Sequence, residues 1–118
     1  MCMIYCHRGD LVLVLFPDSN LRTTKLRPAS IVQNDNLASG LQQVIVAMIT
    51  SNMLRLGPPS GVFVPVGTEA TKNSGLLLDS IVMTDNLATI HKSELARVIG
   101  HFQDMSGIDH AMRVTLAL

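Results

Sequence analysis

The pattern that most constrains this chain is a succession of short apolar runs, each cut off by turn residues, with helical spacing confined to the C-terminal end. Gly9-Asp10 is a turn, and Leu11 to Phe16 is a continuous apolar run, read as a strand buried on both faces or set at a subunit contact. Pro17-Asp18-Ser19-Asn20 breaks it, and residues 17–26 form a polar loop. Leu26 to Asp35 supplies a second strand, with β-branched Ile31 and Val32 and an Asn34-Asp35-Asn36 turn. Gln42 to Thr50 is a third. Val62 to Val66 is short, and its Pro65 marks a sheet edge. Leu76 to Thr84 contains a further strand, with Asp85-Asn86 as its turn. Thr89-Ile90-His91 is a brief strand, Ser93 caps a short helix through Ala96, and Val98 to Phe102 returns as a strand. Asp104 or Ser106 then caps a terminal helix, in which Met105, Ile108, Met112 and Thr115 or Leu116 form one apolar stripe. This succession predicts a mainly β fold, a small, partly open β-barrel of about five to seven strands closed by a C-terminal α-helix.

Composition narrows the function classes. With 118 residues, 47% apolar and 15% charged, residues 1–118 suit one domain with one core, and disorder is excluded. No apolar run approaches the ~20 residues of a membrane span, and Met1 to Asp10 lacks the pattern of a signal peptide. A cytoplasmic protein without a membrane partner is expected. Cys2 and Cys6 are the only cysteines, too few for a disulfide scaffold or a four-ligand zinc site. Cys2, Cys6 and His7 do not make a convincing metal set, so no metal and no cofactor are expected. Low charge with high hydrophobicity points to buried partner surface and hence to an oligomer.

The formal net charge is zero, which argues against a broad phosphate-tracking surface. A small local site remains open, because Arg22, Lys25 and Arg27 fall within six residues. Arg27 precedes Pro28 at a strand mouth, where its rigid fork of donors can face a phosphate. Arg22, Thr23, Thr24 and Lys25 belong to the polar loop, a candidate lid. Tyr5, Phe16, Phe63 and Phe102 are the only aromatics, so no base-stacking platform is visible. On the residues alone, Thr50 reads as a strand-end threonine and Asp85 as a turn former. His7, His91, His101 and His110 are scattered along the chain.

Taken in order, these pieces resemble the MazF/PemK/Kid toxin family of toxin–antitoxin systems. The resemblance rests on Arg8-Gly9-Asp10 before an apolar strand, Arg27-Pro28 with Ile31-Val32-Gln33-Asn34-Asp35, and Ile49-Thr50-Ser51 ending the third strand. It continues through Ser80-Ile81-Val82 with Asp85, Thr89-Ile90, and the closing Thr115-Leu116-Ala117-Leu118. It covers nearly the whole chain from about residue 8. It implies an SH3-like barrel, a homodimer, a cognate antitoxin, and metal-independent, sequence-selective cleavage of single-stranded RNA, as in an mRNA interferase. Carried over by residue, it implies catalytic roles for Arg27, Thr50 and Asp85. It implies RNA binding by Arg22, Thr23, Thr24, Lys25 and Ser51. Two departures stand out. Met83 replaces the Arg that the Kid branch carries two residues before its acid, and no His lies between Pro17 and Leu26. His91 and His101 are the candidates to substitute for the missing His.

The implied chemistry suits these residue types. Attack of a ribose 2′-hydroxyl on the adjacent phosphorus gathers negative charge on a phosphorane, which a bidentate Arg stabilises. A Thr hydroxyl can donate to a non-bridging oxygen, and a carboxylate can accept the 2′-hydroxyl proton. Two rivals stand beside this reading: a non-catalytic gyrase poison of the same fold, and a degenerate family member that has lost activity. The absence of Trp argues against the first, because such poisons are expected to end in a Trp-containing tail. Met83 favours the second.

Overall fold

Six strands and one helix make up the computed structural model, which describes residues 5–17, 20 and 22–118. Cys2 and the loop residues Asp18, Ser19 and Leu21 lie outside the described residues. The strands are β1 (Asp10–Pro17), β2 (Thr24–Ile31), β3 (Gln43–Thr50), β4 (Gly61–Val64), β5 (Ser80–His91) and β6 (Leu95–His101), followed by α1 (Ser106–Leu116). They form one antiparallel sheet in the order β4-β5-β3-β2-β1-β6.

The apolar run of β1 is buried on both faces only at its start: Leu11, Val12 and Val14 are buried, whereas Leu13 is half-buried and Leu15 exposed. Val12 and Val14 join Ala29, Ile31, Val44, Val46, Met48, Ile90 and Leu95 in one cluster. Leu11 points the other way, into a second cluster with Val32, Ala47, Ile49, Val64, Val82 and Ile108. The expected single core is thus two layers divided by the sheet. The stripe of α1 caps the second layer through Ile108, with Met105 and Met112 packed beside it. Thr115 completes the stripe by pairing its hydroxyl with that of buried Thr84, 2.8 Å away. Neither Asp104 nor Ser106 is the N-cap of the helix; that position is Met105, and the Asp104 carboxylate just before it accepts the Ser106 N–H at 2.9 Å. That bond holds the Asp104 carboxyl below its ordinary pKa.

Closure comes from the segment between β4 and β5, which lies along the outer edge of β6. The His101 N–H donates to the Asn73 carbonyl at 2.8 Å. Gly75 makes the approach possible: its φ is +77°, and a Cβ there would sit 2.2 Å from the Ile99 carbonyl oxygen. β4 is an edge strand, as Pro65 predicted, but it runs from Gly61 and stops at Val64, before the proline, instead of reaching Val66.

Several local expectations need correction. Residues 80–91 form one strand rather than two strands and a turn. Met83 lies opposite Met48 and Leu87 opposite Ala47, so Thr84, Asp85 and Asn86 bulge out between paired neighbours. The turn chemistry of Asp85-Asn86 is used to make this bulge. The expected helix from Ser93 to Ala96 is a single 3-10 turn, Lys92–Glu94, and β6 begins at Leu95. Ser93 does not cap that turn. The His91 ring accepts the Ser93 N–H at 3.1 Å, and the Glu94 carboxylate accepts the His91 N–H at 3.2 Å. The polar loop is shorter than expected, because Thr24 and Lys25 already pair with Pro17 and Phe16. Residues 53–61 are not all loop, since Met53–Arg55 forms a 3-10 turn capped by Asn52.

Candidate active site

The sheet splits between β2 and β3. Their ladder consists of Ala29 opposite Met48, Ser30 opposite Ala47 and Ile31 opposite Val46. Before Ala29, β2 is paired only with β1, and after Met48, β3 is paired only with β5. Pro28 is the first residue past the end of this ladder. It is mid-strand in β2, not the first residue as expected, and it sits there without interrupting any β2–β3 pair.

Arg27 and Thr50 stand on opposite walls of the split. Two recesses meet there, and both are lined by Arg27, Ile49 and Thr50. The larger, about 410 Å³, has an apolar floor that includes Leu13, Ile49, Leu76 and Ile99. Its rim carries Lys25, Arg27, Arg97, Ser51 and Ser80, and no carboxylate lines it among the described residues. The smaller, about 350 Å³, adds Phe16, Met48, Met83 and Asn86. The Thr50 hydroxyl oxygen accepts the Asn52 N–H at 3.1 Å, which fixes the oxygen and leaves the hydroxyl proton to donate to a ligand.

The structure therefore brings together Arg27, Thr50, Ser51 and Lys25. Arg22, Thr23 and Thr24 line neither recess. The N–H groups of Arg22 and Thr23 both point to the Asn20 side-chain oxygen, a local turn at the loop's end. Asp85 also lines neither recess. Its carboxylate is paired with the Arg55 guanidinium, each side chain about one-third exposed (36% and 37%). Arg55 is connected back to the site, since its turn is capped by Asn52, whose own N–H is held by Thr50. The bulge puts Asn86 at the recess and Asp85 on Arg55.

Sequence reasoning missed Arg97, Asn86 and the wall Gly75-Leu76-Leu77-Leu78. The two histidines considered as substitutes lie elsewhere. The His91 ring is engaged with Ser93, 2.7 Å from its hydroxyl, and His101 lies opposite Asp10 at the far end of β6. Arg8 proves structural. Its guanidinium donates to the Val32 carbonyl at 2.9 Å and to the Asp109 carboxylate at 2.5 Å, clasping the segment after β2 to α1. Cys6 is half-buried, and burial raises its thiol pKa. Among the described residues, no three His, Cys, Asp or Glu side chains gather as a metal set, and no helix is long and apolar enough to cross a membrane.

Comparison with known proteins shows the family and the fold. A family model described as PemK-like, MazF-like toxin of type II toxin–antitoxin systems matches residues 7–115. Over 107 residues, 88% of this chain and 90% of the relative, the sequence is 34% identical to the endoribonuclease MazF6 of Mycobacterium tuberculosis. Over 114 residues, 94% of each, it is 30% identical to the endoribonuclease EndoA of Bacillus subtilis. The fold matches that of a mycobacterial endoribonuclease solved in complex with its cognate antitoxin, with a TM-score of 0.72 at 23% identity, covering 97% of each chain.

Proposed function

The chain belongs to the PemK-like, MazF-like toxins of type II toxin–antitoxin systems, and on that premise we propose that it is an endoribonuclease cutting single-stranded RNA at the split between β2 and β3. The convergence of Arg27 and Thr50 on two adjoining recesses carries the proposal. RNA runs along the split with the scissile phosphate between them. The 2′-hydroxyl attacks phosphorus, the bond to the 5′-oxygen breaks, and the products are a cyclic 2′,3′-phosphate and a free 5′-hydroxyl. Arg27 stabilises the charge that develops on the phosphorane, and Thr50 donates to a non-bridging oxygen. The 2′-hydroxyl proton leaves to a base, and the 5′-oxygen takes one from an acid. Asp85 serves as the base only when substrate draws it from Arg55. Lys25 and Ser51 hold RNA at the rim of the larger recess, while Arg22, Thr23 and Thr24 contact it further out.

The working unit is a homodimer acting on mRNA in the cytoplasm. Leu77 and Leu78, 90% and 64% exposed at the groove, are apolar surface of the kind that partners cover. An extended antitoxin segment, disordered when free, folds across this groove and excludes RNA.

One observation favours a non-cleaving variant of the same fold: Met83, not a cation, lines the smaller recess with Arg27 and Thr50. Incubating the purified protein with a long RNA in EDTA decides between them. Discrete fragments ending in cyclic phosphate and 5′-hydroxyl support cleavage by protein side chains alone. An intact RNA supports the non-cleaving variant.

A further inference from the structure

Arg97 has no part in the chemistry above, yet it lines the larger recess beside Lys25 and Arg27. Its position follows from a fault in the β1–β6 ladder. Val14 lies opposite Leu95 and Leu13 opposite Arg97, so Ala96 is squeezed out of register. Without that bulge, Ala96 would lie opposite Leu13. With it, Arg97 shares the Leu13 face with Pro28, while Arg27, opposite Val14, belongs to the other face and lines this recess where the two recesses meet. The two arginines thus belong to strands on either side of β1, about 10 Å apart at the backbone given ~4.8 Å per strand step. Three cations rim this recess and no carboxylate lines it among the described residues, in a chain of zero net charge. Such a concentration selects an anion, and cations on the two faces suit an extended polyanion that passes from one recess into the other, with one anionic group at Arg27 and the next at Arg97.

We infer that Arg97 grips the phosphate adjacent to the scissile one, so that RNA is held at two successive phosphates from opposite sides of β1. This rests on the endoribonuclease reading. Arg97 is then a binding residue, which adds grip on the strand beside Arg27 and Thr50 without touching the reacting atoms.

The test uses the full-length protein and a short RNA whose cleavage site is mapped, made uncleavable by a 2′-deoxy sugar at the scissile nucleotide. Its affinity is measured against salt. Arg97→Ala should weaken binding about tenfold, as for a lost charge-assisted contact. It should lower the slope of log affinity against log salt by about 0.7, the contribution of one phosphate on a single strand. With cleavable RNA at saturating enzyme, the single-turnover rate should stay within about threefold, so that the loss falls on binding and not on chemistry. Arg97→Lys should keep the salt slope. Neutral methylphosphonates, placed one phosphate at a time, locate the contact. Next to the scissile phosphate, the substitution should weaken wild-type binding and leave Arg97→Ala unchanged. Additive losses at every position, or coupling at the scissile phosphate itself, overturn the inference, as does an Arg97→Ala protein with wild-type affinity and slope. If the wild-type protein neither binds nor cuts RNA, the functional reading falls and the role of Arg97 falls with it.

Discussion

Two residues carry the proposed chemistry, and they were not equally legible. Arg27 stands out in sequence because it precedes a proline, has Arg22 and Lys25 beside it, and falls on the Arg-Pro of the family it resembles. Thr50 reads there as an ordinary strand end, and only the split sheet, with Arg27 across from it, gives it a partner. Asp85 is the less direct case. Its place in the chain says turn former, and the family resemblance says base, but its carboxylate is engaged by Arg55 from a separate loop. Arg97 was invisible because a one-residue bulge at Ala96 sets its face, and alternation along the strand cannot register a bulge. Thr50→Val keeps the side-chain shape and removes the hydroxyl. Single-turnover cleavage by this variant should be slower by about tenfold to a hundredfold, a loss on the scale of one transition-state donor. A rate within about twofold of wild type would remove Thr50 from the chemistry.

Among the elements, β5 and α1 best show what pattern does and does not reveal. The stripe of α1 was legible because a helix repeats its buried face every three or four residues. The continuity of β5 was not, because turn residues bulge out of a strand as readily as they end one. Thr84, at the start of the bulge, is buried and bonds to the Ser60 carbonyl at 2.6 Å and to Thr115. Thr84→Val should cost about 1–2 kcal/mol, since the Thr115 hydroxyl loses its partner. Urea denaturation measures this. A loss near zero would mean the hydroxyl pair contributes little to joining α1 to β5. The start of α1 is pH-sensitive in a defined direction. Asp104 has a depressed folded pKa, so its contribution is complete above the ordinary carboxylate value of about 3.9 and fades as pH falls through the lower folded value. Thermal unfolding should therefore show Asp104→Ala less stable than wild type at neutral pH. The gap should narrow as pH falls below the ordinary carboxylate value. A gap independent of pH would mean that the charge plays no part.

At the scale of the whole molecule, the barrel and its closing helix were legible from strand length and turn chemistry, and closure was not. It depends on residues far apart in sequence, Asn73 and Gly75 against β6, and no local pattern encodes that contact. The surface points to self-association. Leu15 and Leu26 are cross-strand partners at the open end of β1 and β2, and both are substantially exposed (43% and 52%). Light scattering at micromolar concentration should give twice the chain mass, and a monomer would contradict the dimer. The central claim is that this split sheet cleaves RNA with Arg27 as the phosphate clamp. Its most direct test is single-turnover cleavage of a short RNA, in EDTA, by wild type, Arg27→Ala and Arg27→Lys, with circular dichroism and light scattering confirming that each variant keeps the fold and assembly of wild type. The account predicts that Arg27→Ala is slower by about a hundredfold or more, and that Arg27→Lys rescues poorly because an ammonium cannot form the two-pronged contact. A folded Arg27→Ala protein that cuts at the wild-type rate would contradict it.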